Sequence, residues 1–251
     1  MSQVSILQAH GGWRSLLPLT LPLVFVAIVV VFAWQAPGFL SGGNLKSLVL
    51  NNFVLLAIVA IGMTYAVAAG GIDLSVGTAL DFASFSFVVL LNAGHGLGVA
   101  IAGALAAGLL VGLFNAGLIA GLRISPFLAT LGTLFIGTSA QQLLSDGGQP
   151  IYIAQGFKPE LASFSPLDVP LPLLIVLVLA VVYGLLLARG RLGRELLAQG
   201  TQPLLAYYSG LSVRRIVTTT VLAAALACAV AGILLSSTVS AYVPLSGNAS
   251  C

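Results

Sequence analysis

The spacing of its charges decides what this chain can fold into. No Asp, Glu, Lys or Arg lies between Arg14 and Lys46, between Lys46 and Asp73, or between Asp81 and Arg123. Further charge-free stretches run from Ile124 to Ser145, from Val169 to Ala188 and from Ile216 to Cys251. A helix crossing the hydrocarbon layer needs about 20 apolar residues, and each stretch is long enough for a crossing. Phe82 to Leu122 is long enough for two, hinged at Asn92-Ala-Gly-His-Gly-Leu97. Charged residues make up 6% of the chain, against about a quarter in a soluble domain, so a water-facing surface of this size cannot be covered. The solvent is lipid.

Lipid offers the backbone no hydrogen-bond partners, and the runs lack the alternation of a barrel strand, so they read as helices. The pattern predicts an all-α, polytopic transmembrane bundle with about seven helices, over 16–34, 47–68, 74–91, 97–122, 126–144, 170–188 and 216–240. The run after Arg14 is too long for a signal-peptide core and is read as a retained first helix. With the N-terminus cytoplasmic, the inner segments hold Arg14, Arg123, Arg189, Arg191, Arg194, Arg214 and Arg215, while the outer ones hold only Lys46 and Lys158. The outer Ser145–Asp168 loop carries Asp146, Glu160 and Asp168. Cytoplasmic loops collect Lys and Arg, which selects this orientation. Trp13 and Trp34 flank the first helix as interfacial anchors. Cys228 and Cys251 suggest neither a disulfide framework nor a metal set. Two GxxxG patterns, Gly108–Gly112 and Gly117–Gly121, are candidate helix contacts.

Three stretches carry chemistry. In Gly62-Met-Thr-Tyr-Ala-Val-Ala-Ala-Gly-Gly-Ile-Asp-Leu-Ser-Val-Gly77, an apolar helix is interrupted by Gly70-Gly71, then by an acid, and restarts at a serine. Two glycines let the backbone leave helical geometry, and Asp73 can cap the following turn. Irregular backbone at membrane depth survives where protein or a water-filled cavity surrounds it, and transporters place substrate or gating groups at such breaks. An ordinary inter-helix turn capped by Asp73 would look the same. Asn115-Ala-Gly117, followed by Ser125-Pro-Phe-Leu-Ala-Thr-Leu-Gly132, is the second stretch. The third runs from Gly190-Arg-Leu-Gly-Arg-Glu-Leu-Leu-Ala-Gln-Gly200 through Ala206-Tyr-Tyr-Ser-Gly-Leu-Ser-Val-Arg-Arg-Ile216, an amphipathic segment between basic residues, suited to lying on a partner or a lipid surface.

Gly70-Gly-Ile-Asp-Leu-Ser-Val-Gly77 resembles the signature of the ribose/xylose/galactose-type permeases of bacterial ABC importers. The second stretch resembles that family's later "NG…PPFIxTLG" segment, with Ser125 in place of a proline and Ala116 in place of a glycine. The third is similar to the family's coupling loop, with Gly193, Gly200 and Gly210 at its spacing and Thr201-Gln202 where it has Gly-Asn. The resemblance implies a single permease domain over 1–251 in a multi-pass protein of the bacterial inner membrane, providing a pathway for a monosaccharide-like solute. It implies a signature hinge at Gly70, Gly71, Asp73, Ser75 and Gly77, with Asn115 beside the pathway. It implies a cytoplasmic ATPase-coupling loop at 189–215 carrying Gly193, Arg194, Glu195, Gly200 and Gly210. The partners it implies are a cytoplasmic ATP-binding subunit, an external substrate-binding protein, a second permease subunit and the lipid bilayer; no nucleic acid, metal or cofactor is expected, and the chain is expected to do no chemistry itself.

Asp81 departs from the family, which has an apolar or small residue there. An ionisable group inside a membrane helix is a functional candidate: it could bind a sugar hydroxyl or interact with Ser84 and Ser86, or it could be an acid in contact with water near the cytoplasmic end. His95 reads as an exposed turn residue, and Asn51, Asn52, Asn115 and Gln141 as generic polar groups. The family normally continues past this point, so the sequence reads as a truncated or frameshifted copy or as part of a longer chain. A permease for branched-chain amino acids and an ion-coupled carrier are the alternative functions.

Overall fold

The computed structural model describes residues 17–154 and 169–249. The expectations for Trp13, Arg14, Lys158, Glu160, Asp168 and Cys251 lie outside them. The chain divides into two units, Met1–Val49 and Leu50–Cys251.

The first unit contains α1 (Leu17–Gln35) and α2 (Gly42–Leu48). Phe32 and Phe39 stack with ring centroids 5.6 Å apart. Ser41 caps α2 by accepting from the Asn44 N–H at 3.3 Å, and the Asn44 amide donates to the Phe39 carbonyl at 2.7 Å. Leu21 is 78% exposed and Trp34 85% exposed, a surface suited to lipid and its interface.

The second unit holds α3 (Val54–Ala68), α4 (Val76–Asn92), α5 (Leu97–Ala116) continued by a π-helical turn at Gly117–Gly121, and α6 (Pro126–Leu144). Then follow α7 (Leu171–Ala188), α8 (Arg191–Thr201), α9 (Pro203–Tyr208), α10 (Val213–Val239) and α11 (Ser246–Ala249). Among the described residues five spans are long and apolar enough to cross a membrane: Gly42–Ala68, Leu97–Gly121, Pro126–Leu144, Leu171–Ala188 and Val213–Val239. Thr20–Gln35 and Val76–Asn92 are shorter apolar helices. The protein is therefore an all-α membrane bundle, as charge spacing predicts. The last long helix begins at Val213 rather than 216, because Ser212 accepts from the Arg215 N–H and starts it early. Two-residue strands β1 (Ile151–Tyr152) and β2 (Ala241–Tyr242), which hydropathy alone does not suggest, pair antiparallel with Ile151 opposite Tyr242.

The core forms around α10, which packs against α3, α4 and α5. Its buried face is mostly small residues, including Ala224, Ala225, Ala227, Cys228, Ala231 and Gly232, with Ile216, Val221, Ile233 and Leu234 among them. Without water to drive apolar helices together, close backbone approach provides the cohesion. A Cβ on Gly108 would stand 2.6 Å from that of Ala229, and one on Gly112 2.8 Å from that of Ala225. The Gly108–Gly112 pattern is thus a true helix contact. The Gly117–Gly121 pattern is not: both glycines face open space, in a π-helical turn that rotates them off the packed face. Tyr65 and Tyr183 stack edge-on, centroids 5.1 Å apart; the Tyr65 hydroxyl donates to the Tyr183 carbonyl at 2.7 Å and the Tyr183 hydroxyl to the Ala223 carbonyl at 2.8 Å. These bonds tie α3, α7 and α10 together. The remaining surface of α7 is bare hydrocarbon, with Leu177 and Val178 well exposed.

The two ends of this unit differ in charge. One end carries the His95 turn, Asp146 and the β1–β2 pair, braced by Asn92, which donates to the Tyr152 carbonyl at 3.0 Å and accepts from the Ala154 N–H at 2.9 Å. The other carries Arg123, Arg189, Arg191, Arg194, Arg214 and Arg215. By the positive-inside rule the arginine end is cytoplasmic.

Candidate functional site

Helix α3 ends because Gly70 adopts φ +78°, a left-handed conformation that favours glycine. The Gly70 N–H then bonds the Val67 carbonyl and the Gly71 N–H the Ala66 carbonyl, each at 2.9 Å, closing the helix end. After this turn Asp73 folds back on its own chain. Its Oδ1 accepts from the Ser75 N–H at 2.8 Å and from the Ser75 hydroxyl at 2.6 Å. Asp73 thus braces the residue that precedes α4 rather than the first turn of the helix itself; Ser75, at the N-cap, makes no side-chain cap bond to α4.

Ser75 extends this bracing. The Asn115 amide donates to the Ser75 Oγ at 2.7 Å, and the Thr133 hydroxyl donates to the Asn115 Oδ1 at 2.5 Å. One directional chain, Thr133 to Asn115 to Ser75 to Asp73, joins α6, α5 and the hinge. All four are buried. A satisfied buried network ending on a carboxylate is stronger than its bonds taken singly, because each polarises the next. Asn115 and the hinge residues are brought together as the sequence pattern expects; Thr133 is a member that pattern leaves unmarked, detectable only as a polar group in an apolar run.

The third stretch folds over the same hinge. Helix α8 is amphipathic, with Gly193 and Leu196 buried. A Cβ on Gly200 would overlap the Ala68 carbonyl oxygen and lie 3.1 Å from the Gly70 nitrogen, so only glycine permits this seat. Gly193 sits equally tightly under the Leu187 carbonyl. Glu195 pairs with Arg191 at 2.8 Å, and Arg194 donates to the Arg189 carbonyl at 3.0 Å. Gly210, at φ +79°, terminates α9. Between hinge, π-helical turn, α6 start and α8–α10 lies a cavity of about 860 Å³, bordered by Gly70, Asp73, Arg123, Ser125, Gly200 and Arg214. The three stretches therefore meet around one space at the cytoplasmic end.

Asp81 lies elsewhere, in the second turn of α4 and fully buried. It does not bond Ser84 or Ser86. Its Oδ1 accepts from the Gly247 N–H at 2.8 Å and the Ser246 hydroxyl at 3.0 Å, because the chain after β2 returns into the bundle. Ser84 pairs instead with Ser236, at 2.5 Å. Gln141 holds the same returning segment, its Oε1 accepting from the Leu245 N–H at 2.9 Å. Asn52 stays on an exposed surface, and so does His95.

Residues 46–249 match the model of a family described as branched-chain amino acid transport system / permease component. The chain belongs to this permease family. The permease is 34% identical over 231 residues to the galactofuranose transporter permease protein of Escherichia coli K12, covering 90% of this chain and 66% of that one. It is 33% identical over 231 residues to the autoinducer 2 import system permease proteins of Escherichia coli O9:H4 and Shigella flexneri, covering 90% of this chain and 68% of each. The permease thus spans about two thirds of the length of these relatives. No solved structure matches it. As a member of this family it is a multi-pass protein of the inner membrane, a transport component rather than an enzyme.

Proposed function

We propose that this permease is a membrane-spanning subunit of an ATP-driven importer, contributing one wall of the pathway for a monosaccharide or similar hydroxylated solute. The observation that carries this reading is the seat of Gly200 on Ala68 and Gly70, two residues from Ile72 and three from Asp73. A push on α8 from the cytoplasm reaches the hinge through backbone rather than through a flexible side chain, and from Asp73 it reaches α5 and α6 through Ser75, Asn115 and Thr133. In this reading residues 189–215 engage a cytoplasmic ATP-binding subunit, with Gly193, Arg194, Glu195, Gly200 and Gly210 shaping the contact. Gly70, Gly71, Asp73, Ser75, Gly77 and Asn115 form the hinge that opens the pathway alternately to each side. A second permease chain and an external binding protein complete the assembly, and residues 1–251 act as one permease domain.

The sugar-like solute is supported by the relatives' names, galactofuranose above all. The family description favours a second reading, a branched-chain amino acid as solute. Affinity capture from its own membranes, followed by uptake of radiolabelled galactofuranose and leucine into vesicles, separates them. The expected result is co-capture of an ATP-binding chain and ATP-dependent sugar uptake. Uptake driven by a proton gradient without ATP would overturn the importer reading.

A further inference from the structure

A second cavity, of about 560 Å³, lies deeper in the bundle than the cytoplasmic one. Leu56 and Met63 of α3, Leu134, Phe135 and Thr138 of α6, and the chain entering α4 enclose it. Along both α3 and α6 these residues stand about one to three turns further into the membrane than those bordering the first cavity. Asp73 is the one residue that borders both. Ile72 faces the cytoplasmic cavity and Leu74 the deeper one, so the hinge forms the partition between them. Both bonds that Asp73 accepts from Ser75 fall on Oδ1. Oδ2 has no partner in the protein, yet it is not among the described polar atoms closed off from water.

Charge decides what suits the deeper cavity. Asp73 and Thr138 are the polar side chains among the described residues lining it, and none of those residues is basic. A carboxylate oxygen only accepts. A lipid tail beside Oδ2 would strip it of water and offer no donor, an unfavourable burial. A zwitterionic amino acid would bring an ammonium group to Asp73, but also a carboxylate that nothing in this cavity can match. Arg123 and Arg214 border only the other one. A neutral polyol satisfies Oδ2 with one hydroxyl and leaves no charge over. Phe135, 63% exposed, offers an aromatic face on which the C–H side of a sugar can pack. The volume lies in the range of small-molecule sites. We propose that Asp73 Oδ2 accepts a hydroxyl of a neutral, monosaccharide-like solute held against Phe135 in the deeper cavity. The solute then passes Asp73 to reach the cytoplasmic cavity. This rests on the reading of the protein as a sugar-type importer, and it assigns the choice of solute to one carboxylate.

The test is equilibrium binding to the full chain in lipid nanodiscs, with radiolabelled methyl galactofuranoside, its monodeoxy analogues and leucine as probes. The natural chain is expected to prefer the sugar to leucine. One monodeoxy analogue should bind about tenfold more weakly than the parent sugar, the factor for one hydrogen bond's net contribution. Asp73→Asn keeps an oxygen acceptor for Ser75 and puts a donor in place of Oδ2. It should weaken the parent sugar and erase the tenfold difference, whereas a purely structural role would weaken both sugars and keep it. Phe135→Ala, on an exposed side chain, covers the case in which Asp73→Asn does not fold; it should weaken the sugar and keep the difference. The proposal fails if the natural chain does not bind the sugar, which leaves the cavity to lipid, or if it binds leucine equally well. It fails too if no analogue is weakened, if the difference survives Asp73→Asn, or if Phe135→Ala binds like the natural chain. No ATP or partner enters the measurement. ATP-dependent sugar uptake alongside any of these failures would overturn the role of Asp73 and leave the importer reading standing.

Discussion

Gly200 rests directly on the carbonyl oxygen of Ala68, with no room for a Cβ between them. The contact joins two segments far apart in sequence, and it is backbone against backbone, so neither partner can yield by changing rotamer. Gly200→Ala should displace α8 from the hinge and lower solute uptake at least tenfold, while Gly132→Ala, which faces open space, leaves uptake intact. Uptake by reconstituted vesicles checks the pair; equal rates would remove the hinge contact from the mechanism.

Asn115 is the middle of the Thr133–Asn115–Ser75 chain. Asn115→Ala should leave Ser75 and Thr133 buried without it and cost about 1–3 kcal/mol. Thermal unfolding in detergent measures the loss. Asn115→Asp, which keeps the acceptor for Thr133 but loses the donor to Ser75, should fall between.

The two GxxxG patterns provide an internal comparison. Gly108→Val drives a side chain into Ala229 and should destabilise the bundle by about 1–3 kcal/mol. The same change at Gly117 meets nothing within 4 Å and should have a much smaller effect, as read by resistance to heat-induced aggregation.

Tyr65→Phe and Tyr183→Phe each remove one hydroxyl while keeping the stacked rings. Each should cost about 1 kcal/mol, and the double variant should show coupling, because the two hydroxyls brace the same three helices. A double-mutant cycle on unfolding midpoints tests this, with strict additivity as the contrary result.

Much of this is legible in the sequence. Charge spacing marks the membrane-spanning runs; lipid restricts them to helices or closed barrels, and the missing alternation leaves helices. The hinge is legible because a Gly-Gly pair followed by an acid has no place inside an apolar helix. What stays hidden is which faces meet. Asp81 and Gly247 are 166 positions apart, and nothing local to Asp81 indicates that its partner is the backbone of a returning helical segment rather than the nearby serines. The GxxxG patterns make the same point: they are alike in sequence, and only the presence of Ala225 and Ala229 opposite one of them makes it a contact.

Where α10 meets α5 and α4 most closely, the contacts are made by alanine and glycine: Ala225 and Ala229 against Gly112 and Gly108, and Gly232 against the Leu80 carbonyl. Methyl-sized groups have no alternative rotamers with which to absorb a displacement. Helices α4, α5 and α10 should therefore travel as a single stiff block, leaving the Gly70 turn and the lipid-facing α7 as the places where the molecule can bend.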